Sequence, residues 1–429
     1  MLINYNFENF RSFKGDVELS MKAGRERTFN ENLIRVGKKG RYLPSAVIYG
    51  ANASGKSNII MSLSTMRSII LSGTIDSTVP TFKPLSLCPF FGNDQNPMKF
   101  DVEFIEDGIH FKYGFAVLIS ITNISNGIIV EEHLSIINPK SITKIFERSA
   151  NHIEINPSKR LLDYAETDQN TLKNIEDKIN KNLTQNELFL SRGFKTIVSN
   201  ELAGKVINFF KNKLFALNDF SLGQIEIKLP ESEKLNKNSA MWNGILDKFV
   251  KIADFGSQQL LYKAKEKGDE ITGELELISI YNDKIIVPSE LVESKGTLKL
   301  VEFAVLFVNI FESGGTFVID EFDSAIHSEI IKGLIGLFND PSYNINGAQL
   351  IFTTHNPIYL NNKLFRRDQI LFIEKSKDDF SSSIFSLADF GSEDVRNDEN
   401  YLINYFKGKY SALPYIDFAQ LLTEDTAVK

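Results

Sequence analysis

Residues Gly50 to Ser57 read GANASGKS and fit the spacing G-x-x-x-x-G-K-[ST]. Glycines at 50 and 55 let the backbone curl, so that the N–H groups of Asn52, Ala53, Ser54 and Gly55 turn toward one anion. A helix opening at this point adds its positive dipole end. Lys56 is then expected to reach the β- and γ-phosphates of a nucleotide and Ser57 to coordinate magnesium, with Asn58 following in the first helical turn. A short Ser45–Tyr49 strand before the loop and the helical run NIIMSLSTMRSIIL after it supply the context that such a loop requires.

Three further groups are read with the loop. TFVIDE, Thr316 to Glu321, is an apolar strand whose carboxylates emerge at its C-terminal end, where ligands sit in open α/β sheets. Asp320 is expected to hold magnesium through water, and Glu321 to act as general base on the attacking water. Standing alone, the pair would equally suit two solvated acids. ESKGTLKL places Ser294, Gly296 and Thr297 at the start of a helix, either as a second anion-binding turn or as an ordinary cap by Ser294. QLIFTTH sets His355 at the end of another strand, in the position of a γ-phosphate switch.

The elements that must carry these residues follow from periodicity. LINYNFENF, DVELSM, MKFDVEFIED, IHFKYGFAVLISI and EEHLSIIN alternate like strands, with Asp107-Gly108 as a tight turn between two of them. Leu202, Val206, Phe210 and Leu214 predict an amphipathic helix, and a second helix is expected over Asn238–Ile252. LLYKAK and ELELISIY are strands, TLKLVEFAVLFVNIF is a helix, and QILFIEK, SSIFSL and a helix at Tyr401–Phe406 complete the chain. Apolar strands alternating with helices predict an α/β sheet covered on both faces. We expect an N-terminal lobe over 1–154, a mainly helical insertion over 155–257 and a C-terminal lobe over 258–429.

Composition sets the outer limits. The chain has 429 residues, of which 42% are hydrophobic and 24% charged, which excludes a disordered or collagen-like protein. Its single cysteine, Cys88, precludes an internal disulfide or a cysteine metal cluster, and no run is long and apolar enough to span a membrane. With no signal-peptide pattern at the start, a cytoplasmic location is expected. The net charge of −7 argues against a uniformly nucleic-acid-coating surface. It leaves open a local basic strip built from Lys205, Lys211, Lys213, Lys248, Lys251, Lys263, Lys265 and Lys267, interleaved with acids.

In order, the motifs are phosphate loop, insertion, signature turn, acidic strand and strand-end histidine. That order resembles the ABC-type ATPase head of the RecF- and SMC-like branch. INYNFENFRSF, IYGANASGKSN, ESKGTLKL, VIDEFDSAIH and QLIFTTHNP are similar to stand-alone bacterial ATPases of the overcoming-lysogenisation-defect-related group, over about 1–120 and 290–420. The resemblance implies a mixed β lobe plus a RecA-like parallel sheet with helices, carrying a compact helical insertion. It implies ATP and Mg2+ as ligands, with Arg11 of the NFRSF turn beside the nucleotide. It also implies a homodimer, or higher oligomer, in which Ser294, Gly296 and Thr297 contact the γ-phosphate held by the other subunit. Asp323 and Ser324 fall where a dimer-facing D-loop would lie, and Gln95 is the candidate for a Q-loop glutamine. The signature departs from the transporter pattern, with Lys295 and Thr297 in place of Gly and Gln.

Relatives in phage-defence or abortive-infection operons sit beside an effector gene, so a nuclease-type partner encoded next door is implied, acting through an ATP-hydrolysing switch. Two alternatives remain from the sequence: a RecF-like DNA repair ATPase, and a slowly hydrolysing assembly scaffold. No DxD pair follows His355, so a nuclease domain of the topoisomerase–primase type is not expected in this chain.

Overall fold

A computed structural model describes residues 1–429 except 77–86, 121–122, 166–167, 218–239, 242–258, 268–269, 283, 392–394, 397 and 414–429. Two large sheets organise it. The first has the antiparallel order β10-β9-β8-β7-β6-β1-β2. Its strands are β1 (Leu2–Glu8), β2 (Val17–Ser20), β6 (Met98–Glu106), β7 (Ile109–Ser120), β8 (Asn123–Asn138), β9 (Ser141–Ser149) and β10 (His152–Ile155). The β6–β7 turn uses Asp107 and Gly108, both at positive φ (47° and 73°), as a two-residue hairpin turn demands.

The second sheet has the order β11-β16-β17-β5-β18-β19. Its strands are β5 (Ser45–Gly50), β11 (Leu214–Leu217), β16 (Thr316–Ile319), β17 (Gln349–Thr353), β18 (Ile370–Lys375) and β19 (Ser382–Ser386). All neighbours run parallel except β18–β19. Period-two alternation sends Ala46 and Ile48 to one face and Val47 and Tyr49 to the other, and both faces are buried. The first face is covered by α1 (Lys56–Ser72) and the antiparallel sheet. The second is covered by α6 (Lys295–Ser313) and α7 (Ser328–Asn339), whose Phe303, Phe307 and Phe338 pack with Phe317 and Phe352. The expected α/β architecture, a β lobe joined to a parallel sheet with helices, is present. Smaller sheets are formed by β3 (Ile34–Val36) with β4 (Gly40–Tyr42), and by β12 (Ala240–Met241), β13 (Gln259–Lys267), β14 (Glu270–Tyr281) and β15 (Ile285–Pro288), the last followed by the short helix α5 (Ser289–Val292).

Between 155 and 257 the described helices are α2 (Lys159–Leu162), α3 (Gln169–Lys181) and α4 (Asn200–Asn208), with π-helical turns at Leu190–Val198 and Phe209–Lys213. This segment shares its core with the β lobe: Leu190, Phe194, Leu202, Val206, Phe209 and Phe210 are buried in one cluster with Phe104, Phe111 and Phe146. Phe209 stacks on Phe104 with centroids 4.2 Å apart. The helix predicted through Leu214 ends earlier, because the π turn delivers Leu214 to β11, which pairs parallel with β16. Of the helix expected at Asn238–Ile252, Ala240–Met241 forms strand β12 against β13; the remainder lies outside the described residues.

A buried ionic pair ties the segment down. Glu132 of β8 accepts hydrogen bonds from the N–H groups of Phe189 (2.7 Å) and Leu190 (2.9 Å) and from the Tyr113 hydroxyl (3.0 Å). Arg148 of β9, 4.0 Å from that carboxylate, donates to the carbonyls of Thr184, Glu187 and Ala150. Burial raises the Glu132 pKa, while those N–H donors and Arg148 pull it back down.

Candidate functional site

Adjacent parallel strands β16, β17 and β5 release three segments at the same edge of the sheet. After β5 comes the loop Ala51–Gly55 and then α1. Ala53 (φ 59°) and Gly55 (φ 115°) are at positive φ while Asn52 before them and Ser54 between them are not, an alternation that curls successive N–H groups toward a concavity. No side chain caps α1. Lys56 is buried, and its ammonium donates to the carbonyls of Gly50 (2.8 Å) and Ala51 (3.0 Å). Burial lowers its pKa to about 8, against the upward pull of Asp320 and Glu321. Ser54 Oγ is buried and has no hydrogen-bond partner. Ser57 stands exposed in the first turn of α1, followed by Asn58. A curled loop, an unpartnered buried hydroxyl and an ammonium held only by carbonyls are the features that a phosphate group would complete.

The second segment begins at Asp320. Its N–H donates to the carbonyl of Leu217 at the end of β11 (3.1 Å), so β11 borders the acidic turn. Thr353 Oγ1 donates to the Asp320 carboxylate and accepts from the N–H of Glu321 (2.8 Å). Glu321 has φ 45°, and its exposed carboxylate lies 3.8 Å from His355 Nε2. His355, the third segment, has its pKa lowered by burial and by Lys56 and raised by Glu321, Asp320 and Asp323. Lys56, Asp320, Glu321 and His355 therefore share one electrostatic environment.

Other expected residues lie around this centre in different ways. Arg11 (φ 52°) donates its N–H to the Cys88 carbonyl (2.8 Å), and its guanidinium carbon stands 5.8 Å from the Phe10 ring centroid. The next residue, Ser12, accepts a hydrogen bond from Asn58 Nδ2 (2.8 Å), so the Arg11 turn abuts the loop. Gln95 is exposed in turns whose Asn93 and Asn96 bond to Asn9. Ser294 caps α6 by accepting from the N–H of Thr297 (3.1 Å), with the two hydroxyls 2.9 Å apart. Gly296 is packed so closely beneath Ala325 that an added Cβ would collide with that residue's carbonyl oxygen. The contacts of this turn thus run to the segment after Glu321, while α1 covers the opposite face of the sheet from α6.

Two positions that the motifs did not single out support the site, Ser382 at the loop and Thr353 at the acidic turn. Ser382 of β19 donates from Oγ to the Ser54 carbonyl (2.6 Å) and from N–H to Ser12 O (2.7 Å). Thr353 precedes the histidine within QLIFTTH, but only the paired strands show what its hydroxyl does. Of the lysines in the candidate basic strip, Lys205 pairs with Asp107 (3.1 Å) and Glu201 (3.7 Å), and Lys213 with Glu106 (3.0 Å). Lys248 and Lys251 lie outside the described residues. Among the described residues no group of three or more His, Cys, Asp or Glu could hold a metal ion by itself, and no helix is long and apolar enough to cross a membrane.

Among solved structures, the chain is similar to the SMC head domain from Thermotoga maritima (15% identity, covering 90% of this chain and 98% of that one, TM-score 0.34). It is also similar to an SMC head bound to the C-terminal winged-helix domain of ScpA (12%, 92% and 99%, TM-score 0.40). A third is an SMC head with an extended coiled coil bound to the C-terminal domain of ScpA derived from Pyrococcus furiosus (12%, 90% and 96%, TM-score 0.40). Overlaps this loose say nothing about activity. No curated protein matches. Residues 45–361, most of the chain and the whole stretch from β5 past His355, match the family described as "AAA domain, putative AbiEii toxin, Type IV TA system", and the chain belongs to that family.

Proposed function

We propose that this protein binds and hydrolyses ATP with Mg2+ at the β5–β16–β17 edge, and that two chains close around the nucleotide to control a separately encoded effector. The observation that carries the reading is the convergence of Lys56, Asp320, Glu321 and His355 from three neighbouring strand ends. In the reaction, Lys56 exchanges the Gly50 and Ala51 carbonyls for β- and γ-phosphate oxygens, and the N–H groups of the loop and of α1 cradle the phosphates. Ser57 and Asp320 would hold Mg2+, which would supply charge neutralisation at the phosphates. Glu321 takes a proton from the attacking water as its oxygen bonds to the γ-phosphorus and the β–γ bridge breaks, and His355 hydrogen bonds to the γ-phosphate. Arg11, by the resemblance, would stand beside the nucleotide. Ser294, Gly296 and Thr297 serve the nucleotide of the partner subunit. The family description, which names a putative toxin of a type IV toxin–antitoxin system, supports a role in such a system; the nuclease-type effector rests on the sequence resemblance. Neutralisation of Lys205 and Lys213 by acids counts against DNA as that partner.

The test pairs two variants. Lys56→Ala should abolish hydrolysis while leaving the melting temperature near that of the parent chain. Glu321→Gln should bind ATP, hydrolyse it at least about a hundredfold more slowly, and accumulate as a dimer by light scattering with Mg2+ and ATP. Near-normal turnover by either variant removes the assignment it tests, and an unchanged mass for Glu321→Gln removes the dimer.

A further inference from the structure

Helix α6 grips the acidic turn with one stripe of side chains. Gly296, Lys299 and Phe303 recur at i, i+3 and i+7, which places them on a single face. Gly296 lies against the Ala325 carbonyl, and the Phe303 ring packs on Phe322 with centroids 5.3 Å apart. Between them the Lys299 ammonium donates to the carbonyls of Glu321 (2.9 Å) and Ser324 (3.2 Å). The turn it caps holds two non-glycine residues in the left-handed region, Glu321 at φ 45° and Ala325 at φ 66°.

That arrangement bears directly on the general base. The Glu321 carboxylate is exposed, with His355 at 3.8 Å. The peptide groups on either side of its Cα are each held from another element: the N–H by Thr353 Oγ1 of β17, the carbonyl by Lys299 of α6. Fixing both peptides fixes the Cα–Cβ direction, and so where the carboxylate can reach. We propose that Lys299 is a positioning residue for Glu321, and that it links the N-terminal turn of α6, with Ser294, Gly296 and Thr297, to the base through one ammonium group. A phosphate engaging that turn would then act on Glu321 by shifting a side chain one helical turn away. This inference rests on Glu321 acting as base in ATP hydrolysis.

The experiment measures ATP turnover and nucleotide affinity in the full chain. Lys299→Met keeps an unbranched side chain of similar length and removes the ammonium, which also stands 5.6 Å from the Phe303 ring centroid; Lys299→Arg keeps a cation able to cap both carbonyls. The Met variant should lose about tenfold or more in kcat with nucleotide Kd changed by less than about threefold, and the Arg variant should recover most of the loss. In a Glu321→Gln background, Lys299→Met should cause little further loss, because the group it positions is already gone. Lys299→Gln replaces the Met variant should the latter not fold. Wild-type kcat in the donor-less variant, equal losses in kcat and affinity, or losses that multiply with Glu321→Gln would each overturn the proposal. Lys56→Ala run alongside separates the two readings. Wild-type protein no more active than Lys56→Ala removes ATP hydrolysis, and the Lys299 role with it; active wild-type protein with an unaffected Lys299→Met removes the Lys299 role alone.

Discussion

The buried Lys56 ammonium is bonded to two carbonyl oxygens of its own loop, and this has a pH signature. Its folded pKa of about 8 lies below the ordinary 10.5. Between those values the unfolded chain holds a proton that the folded chain releases, so this group's contribution to stability rises with pH across that window and is constant below it. Phosphate binding requires the charged form, so ATP affinity should be flat up to about pH 8 and then weaken, by at most about tenfold per pH unit. Titrating nucleotide binding between about pH 7.5 and about pH 9.5 checks this, with Lys56→Met as the variant whose profile stays flat. Lys56, Asp320, Glu321 and His355 were legible because each sits inside a short motif whose chemistry depends on local spacing. Ser382 and Thr353 were not, since their roles arise from bonds across the sheet. Ser382 reaches Ser54 over a separation of 328 residues, and a serine inside SSS carries no local sign of it.

Strands and the long helices follow their hydrophobic periods, and the departures come where tertiary pairing overrides them. Leu214 continues a helical spacing yet begins a strand, because β16 offers it a parallel edge. No periodicity announces the Glu132–Arg148 pair either, since each residue belongs to a strand whose other positions fit a buried face well. Its donors and acceptors reach the backbone at Thr184, Glu187, Phe189 and Leu190, so the pair fastens β8 and β9 to the start of the π-helical segment. Arg148→Met would leave the Glu132 carboxylate buried without its counter-ion and three carbonyls without their donor, costing about 3–5 kcal/mol. Chemical denaturation should show this loss, and Glu132→Gln in the same chain should recover part of it by removing the stranded charge.

At the scale of the whole molecule, residues 159–217 share the core of the β lobe and add a strand to the parallel sheet. If this stretch were only a cap inserted in the chain, its removal would spare nucleotide binding. Strand β11 and the packing of α4 under Phe104 and Phe111 argue otherwise. Deleting 159–217 should strip an edge strand from the parallel sheet, remove the carbonyl that receives Asp320 N–H and uncover the core. The product should be insoluble or melt without cooperativity, where a dispensable cap would leave a sharp transition and intact ATP binding. The order of the parallel sheet also bears on how the protein is made. The strand that carries the phosphate loop, β5, lies between β17 and β18, and its first neighbour follows it by about 300 residues. At about 5–20 residues per second, a ribosome needs roughly 15–60 s to deliver that partner. Throughout that interval the apolar stretch Ser45–Gly50 has both pairing edges open, so nascent chains stalled before residue 349 should associate with chaperones and be unable to bind nucleotide.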